Sequence, residues 1–289
     1  MKVFYKPEMV AFTSSYSPSA SKPKWVVEDW LNDPLIECEI VSFEPATRNQ
    51  LCLAHDPAFV EGVLSCEIDN GFGNCDPTVA ASLPFTTGSM IAAATYAVEN
   101  GEVVCSPSGG HHHSRHSSCG GYCSFNGILV TALVLKKMGL VDRVSIIDAD
   151  RHWADGGTQI INHLGLDWVE HHSQGRFFNS RADCLNGRFT RWLNRAIDRS
   201  LSCDLVLVQL GADPHVLDPL GGLQTTPEMA ARDRLIFERL GHLPLCWCLG
   251  GGYQTTEGST PAERLEPVLR LHRQSARICT EIEAGVTYA

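Results

Sequence analysis

Asp148, Asp150 and His152 recur at every second position of Ile-Asp-Ala-Asp-Arg-His-Trp-Ala-Asp-Gly-Gly. If a strand continues through them, its period of two turns all three side chains to one side. Two carboxylates and an imidazole crowded together repel and are costly to desolvate unless a cation neutralises them. A divalent ion suits that donor set, and Asp/His ligation with one position left open is what a catalytic zinc needs. Asp213, in Leu-Gly-Ala-Asp-Pro-His, is the candidate third ligand. Taken alone, Asp-x-Asp-x-His is equally at home in an acidic capping turn.

Two further stretches carry ionisable groups. In Gly109-Gly110-His111-His112-His113-Ser114-Arg115-His116 the glycines allow close backbone approach, and adjacent imidazoles on a loop can serve one cavity. Histidine is the natural proton carrier near neutral pH; a bare histidine run is otherwise a solvated loop. Asp148 and Asp155 are spare carboxylates able to orient two of these rings. Gly250-Gly251-Gly252-Tyr253 lacks the glycine spacing and the lysine of a phosphate loop. It reads instead as a turn presenting the Tyr253 hydroxyl as an oxyanion donor.

The elements that must position these groups follow from the apolar pattern. Strands are expected at 2–5, 37–41, 103–105, 144–147, 168–171, 205–209 and 245–249, several as continuous apolar runs that suit a parallel sheet buried on both faces. Helices are expected at 25–31, 46–53, 57–64, 79–99, 124–138, 157–164, 189–200, 227–240 and 261–283. The β-then-α alternation implies a layered α/β domain with helices on both faces, and no composition shift divides residues 1–289. In such sheets ligands gather at the carboxyl ends of strands. The serine, glycine and histidine run, both aspartate motifs and the glycine–tyrosine turn each follow an expected strand.

Of the 289 residues, 44% are apolar and 19% charged, enough for one large core. The formal charge of −10 disfavours nucleic acid and anionic membranes as partners. The nine-residue run Gly127–Leu135 falls far short of the roughly 20 residues a membrane span requires. The N-terminal residues lack a signal-peptide pattern, so a cytoplasmic protein is expected. Twelve scattered cysteines without any Cys-x-x-Cys pair suggest mostly buried, reduced thiols. Nothing in the sequence specifies an oligomeric state.

Together the motifs resemble the histone deacetylase family, with its arginase/deacetylase fold. The stretches that carry the resemblance, in the family's order, are Gly-Gly-His-His-His…Gly-Gly-Tyr-Cys-Ser-Phe-Asn, Ile-Asp-Ala-Asp-Arg-His-Trp-Ala-Asp-Gly, Gly-Ala-Asp-Pro-His-Val-Leu-Asp-Pro-Leu-Gly-Gly-Leu and Gly-Gly-Gly-Tyr. The resemblance implies a three-layer α/β/α architecture with a mainly parallel central sheet, forming a single catalytic domain. It implies one zinc ion per chain on Asp150, His152 and Asp213. His112 and His113 become the tandem imidazoles, with His111 the extra one; Asp148 and Asp155 orient them, and Tyr253 is the catalytic tyrosine. Gly121, Tyr122 and Leu220 match the acyl channel. The implied reaction is hydrolysis of an acylated amine, an acyl-lysine or an acetylated polyamine-like molecule, by metal-activated water. Residues 87–90 and 232–237 look most like the class IV branch.

Three departures accompany the resemblance. Ser17-Pro18-Ser19-Ala20 and Lys22-Pro23 replace the usual His-Pro-Glu, which implies a different rim loop. The segment between His152 and Asp213 is short, with Phe178 the candidate replacement wall. Glu170 stands near where a serine often helps hold a monovalent ion beside Asp148, which argues against potassium. Two other readings compete with an amide hydrolase: a binding module that holds an acyl ligand without turning it over, and a two-metal ureohydrolase, which needs additional carboxylates.

Overall fold

The runs at 144–148, 205–210 and 245–249 are buried at every position, as strands covered on both faces must be. A computed structural model of the chain describes residues 1–253 and 255–285. In chain order its elements are β1 (Lys2–Phe4), α1 (Lys22–Leu31), β2 (Glu39–Val41), α2 (Arg48–Leu51), α3 (Pro57–Leu64), α4 (Pro77–Asn100), β3 (Val103–Ser106), α5 (Gly127–Lys137), β4 (Val144–Asp148), α6 (Asp155–Leu164), β5 (Val169–Ser173), α7 (Arg181–Cys184), α8 (Arg188–Ser200), β6 (Leu205–Leu210), α9 (Thr226–Leu240), β7 (Leu245–Leu249) and α10 (Pro261–Glu283). The strands form one seven-stranded sheet in the order β2-β1-β3-β7-β6-β4-β5, and every pairing is parallel.

One side of the sheet buries Leu51, Phe59, Met90, Leu129 and Ile160, from the helices α2 to α6. The other buries Trp30, Trp192, Phe237 and Leu269, from α1, α8, α9 and α10. The result is the expected three-layer α/β/α arrangement. No helix among the described residues is long and apolar enough to cross a membrane. All twelve cysteines are free.

Element boundaries follow local capping. α5 starts at Gly127 rather than Ser124 because the Asn126 side chain accepts the Leu129 N–H and caps the helix there. α2 is only four residues long, opened by a capping box between Thr47 and Gln50. The short α7 was not expected. Its Ser180–Asp183 capping box lies in a polar stretch without apolar periodicity.

The topology matters most for the site. β3, β7, β6 and β4, whose carboxyl ends carry the four chemical motifs, are consecutive neighbours in the sheet. Residues far apart in sequence therefore emerge side by side along one sheet edge.

Candidate active site

β4 ends at Asp148, so Asp150 and His152 do not share a strand face with it. The chain curls instead: Asp148 Oδ1 accepts the Asp150 N–H at 3.1 Å, and Asp150 Oδ1 accepts the His152 N–H at 2.9 Å. These aspartate turns separate the three side chains by role. Asp148 faces the histidine loop, whereas Asp150 and His152 meet Asp213 from the end of β6. One ligand atom from each of Asp150, His152 and Asp213 lies within 4.8 Å of the others, the one such group among the described residues. His152 Nδ1 sits 3.2 Å from Asp150 Oδ1 and 3.0 Å from Asp213 Oδ2.

The electrostatics of this cluster are those of a cation site. Burial, and then the neighbouring Asp150 carboxylate, push Asp213 up to about 7. Burial opposes charge on His152, yet the two carboxylates raise it to about 10. Asp150, despite its burial, is held well below the ordinary carboxylate range by His112 and His152. Even with His112, His152 and Lys22 nearby, the buried Asp213 carboxylate resists ionisation beside Asp150, and a bound cation would relieve it. Backbone leaves room around them only because it is glycine. A Cβ on Gly251 would lie 2.1 Å from Asp213 Oδ2, one on Gly250 2.6 Å from Asp150 Oδ2, and one on Gly211 2.7 Å from Asp213 Oδ1. Donor types, crowding and cradle all fit a divalent metal ion.

The histidine loop after β3 lies against this cluster. His112 Nδ1 is 3.0 Å from Asp148 Oδ2, and His112 Nε2 is 3.8 Å from Asp150 Oδ1. His113 Nδ1 is 2.7 Å from Asp155 Oδ1, whose other oxygen accepts Arg115 Nη2 at 2.6 Å. The two rings lie 4.1 Å apart. Burial disfavours charge on His112, but Asp148 and Asp150 raise it to about 9; burial and the adjacent His112 lower His113. His111 turns away, its Nε2 bonded to Ser108 Oγ at 3.0 Å.

Tyr253 is buried, its ring centroid 6.3 Å from His152 and 6.0 Å from Tyr122. Burial, together with Asp213 and Asp150, holds its hydroxyl protonated far above the ordinary phenol range. Tyr122 has φ 62°, and Gly121 packs so closely on His113 that a Cβ would lie 2.6 Å from the ring. Leu220 sits in the half-exposed loop after β6. Asp218 ties that loop to the tyrosine, accepting the Leu220 N–H at 3.0 Å and the Tyr253 N–H at 2.7 Å.

Several sequence expectations are corrected. Phe178 is no channel wall: it is buried in a cluster with Phe189 and Trp192, at 5.5 and 5.7 Å. Glu170 does not stand beside Asp148. It pairs in register with Ser145 and reaches Arg143 and Arg199, while Ser173 is the residue opposite Asp148. The sequence argument against a monovalent ion therefore loses its basis. Lys22 belongs to no rim loop; it opens α1 and is fully buried, with its Nζ donating to Gly250 O and, at 3.3 Å, to Gly251 O. Burial lowers it to about 8 against the pull of Asp213, Asp150 and Asp218. Sequence reasoning missed this lysine. Its only signal was the Lys-Pro pair that starts a helix.

Residues 19–178 match the histone deacetylase domain. The chain belongs to the histone deacetylase family. Human polyamine deacetylase HDAC10 is 27% identical over 263 residues, which cover 75% of this chain but only 39% of that protein's length. The fold matches the HD domain of HDA15 with a TM-score of 0.75 at 18% identity, covering 100% of this chain and 90% of that one. It also matches acetylpolyamine aminohydrolase from Burkholderia pseudomallei with a TM-score of 0.69 at 15% identity, covering 99% and 98%.

Proposed function

We propose that this chain is a zinc-dependent hydrolase that removes an acyl group from an acylated amine. The observation that carries the reading is the convergence of Asp150, His152 and Asp213 within 4.8 Å, directly beside the paired imidazoles of His112 and His113. The family's deacetylases, and the polyamine deacetylase and acetylpolyamine aminohydrolase among the similar proteins, support an amide of a primary amine as substrate.

Asp150, His152 and Asp213 would hold the zinc, which when bound polarises a carbonyl and acidifies water. The remaining work falls to the chain's own side chains. Asp148 and Asp155 occupy the Nδ1 atoms of His112 and His113, which leaves each Nε2 to carry protons. One imidazole takes a proton from the attacking water, and one returns a proton to the departing amine. The protonated Tyr253 hydroxyl donates to the oxyanion of the tetrahedral intermediate. Gly121, Tyr122 and Leu220 line the path of the acylated side chain.

The test is hydrolysis of acetyl-lysine peptides and acetylated polyamines, with and without chelator, alongside metal content. One zinc per chain, activity abolished by chelation and restored by zinc, and a 10²–10³-fold fall in kcat for Tyr253→Phe are expected. Zinc-free protein with undiminished turnover refutes the reading.

A further inference from the structure

The exposed face of α8 carries Arg188, Arg191, Arg195 and Arg199, spaced by three, four and four residues, so they form one stripe. The opposite face buries Phe189, Trp192, Leu193 and Ile197. Like charges at this spacing destabilise a helix, and the chain as a whole has a formal charge of −10. A solvated helix face would intersperse acids to relieve the repulsion. Here Asp198 is turned to Arg239 at 2.9 Å, and only the two end arginines find acids: Arg188 with Asp183 and Arg199 with Glu170, each at 3.5 Å. Arg191 and Arg195 have no ion pair among the described residues.

The stripe lines a groove of about 640 Å³. The turn after β5 adds Arg176, which has no acidic partner among the described residues and stands over the rings of Trp153 and Phe177, at 5.8 and 5.7 Å. Both rings are substantially exposed, 43% for Trp153 and 54% for Phe177. Five guanidinium groups and two partly exposed aromatic side chains thus share one concavity, of a size that falls within the roughly 300–1,000 Å³ of small-molecule sites. Guanidinium forks match phosphate oxygens two at a time, and exposed aromatic rings stack on flat partners.

We propose that this groove binds a phosphorylated small molecule bearing a planar ring, of the nucleoside diphosphate class, with the α8 arginines on the phosphates and Trp153 and Phe177 on the ring. The site is separate from the metal cluster, although Trp153 directly follows His152 in the chain. A concave groove with adjoining rings favours such a ligand over an acidic protein segment, which would need an extended track.

Equilibrium dialysis and tryptophan fluorescence on the full chain test this with ADP, inorganic pyrophosphate and a glutamate-rich peptide as probes. Expected are one saturable ADP site per chain, affinity falling between 50 and 200 mM salt, and at least tenfold weaker binding of ADP and pyrophosphate in Arg191→Gln/Arg195→Gln. Phe177→Leu should weaken ADP at least threefold and leave pyrophosphate unchanged. Arg48→Gln, which removes one positive charge outside the groove, should change affinity less than twofold. Arg195→Glu is the second variant, and unfolding midpoints confirm that each variant folds. The proposal is overturned by lack of saturable ADP binding, by equal losses in Arg48→Gln and the groove variants, or by tighter binding of the acidic peptide than of ADP.

Discussion

His113 Nδ1 and Asp155 Oδ1 lie 2.7 Å apart, and the other Asp155 oxygen is held by Arg115. The aspartate sits on the first turn of α6, so the helix fixes the ring's orientation from outside the metal cluster. Asp155→Asn keeps the shape but removes the carboxylate that selects the Nδ1–H form. Outer partners of this kind are worth about 10–100-fold in activity. We expect kcat on an acetylated amine to fall by that factor, with zinc content and the unfolding midpoint unchanged. A loss of bound zinc in this variant would show that Asp155 supports the metal rather than the imidazole.

Gly251 is the tightest point of the cradle, with no space for a methyl group beside Asp213. Its N–H also donates to Asp150 Oδ2 at 2.6 Å. Gly251→Ala should push the two carboxylates apart and lower zinc affinity at least tenfold. Competition with a fluorescent chelator measures this directly. Unchanged affinity would mean that the loop can back away freely.

The central strands β3, β4, β6 and β7, and with them the α/β layering, were legible in the sequence because parallel strands buried on both faces leave apolar runs that need no long-range information. The edge strands β2 and β5 carry no such run. The chemistry was legible for a related reason: Asp150, His152 and Asp213 stand at strand ends, where the fold brings ligands together. Strand alternation also turned Asp148 to the same side as Asp150 and His152, and there the reading of the spacing failed. Asp148 does stand where its other expected role, orienting an imidazole, needs it, 3.0 Å from His112 Nδ1. The Asp148 and Asp150 carboxylates accept the backbone N–H groups of Asp150 and His152 where the strand ends, a local competition that periodicity does not register. Lys22 and Phe178 escaped for the opposite reason. Whether a lysine is buried or a phenylalanine joins an aromatic cluster depends on partners more than ten residues away, here Gly250, Gly251, Phe189 and Trp192.

His55 sets an acid limit on stability. Its Nδ1 donates to Arg115 O and its Nε2 accepts the Asn126 N–H, both at 2.9 Å, so the neutral ring is fully used and a proton on Nε2 would face another donor. Burial lowers its pKa to about 4. Between that value and the unfolded value near 6.5, the unfolded chain binds the proton and the folded chain does not, so stability rises with pH across this window. One such histidine contributes about 3 kcal/mol that is present above pH 6.5 and lost as pH falls to about 4. Denaturant unfolding from pH 7 to pH 4 should show this decline, and His55→Gln should make it shallower, the remainder falling to His111 and His171, which burial also lowers to about 4. Parallel profiles would assign the acid loss to other groups.

Lys22 is a buried cation directed at backbone, donating to the carbonyls of Gly250 and Gly251 immediately before Tyr253. Lys22→Met fills the volume but strands the Gly250 carbonyl, at about 1–3 kcal/mol for a buried group left unsatisfied, while the Gly251 carbonyl keeps the Ala212 N–H at 2.9 Å. It also removes the positive charge facing Asp150, Asp213 and Asp218. The expected outcome is a loss of about 1–3 kcal/mol in denaturant unfolding of the zinc-free protein, where metal binding cannot mask the change. Because the carbonyls belong to the turn that carries Tyr253, kcat should fall as well, while Lys22→Arg, which keeps a donor and the charge, should recover part of both. If Lys22→Met proves as stable as the parent, the glycine turn is held by its hydrogen bonds with Ala212, Asp150 and Asp218 without help from the lysine.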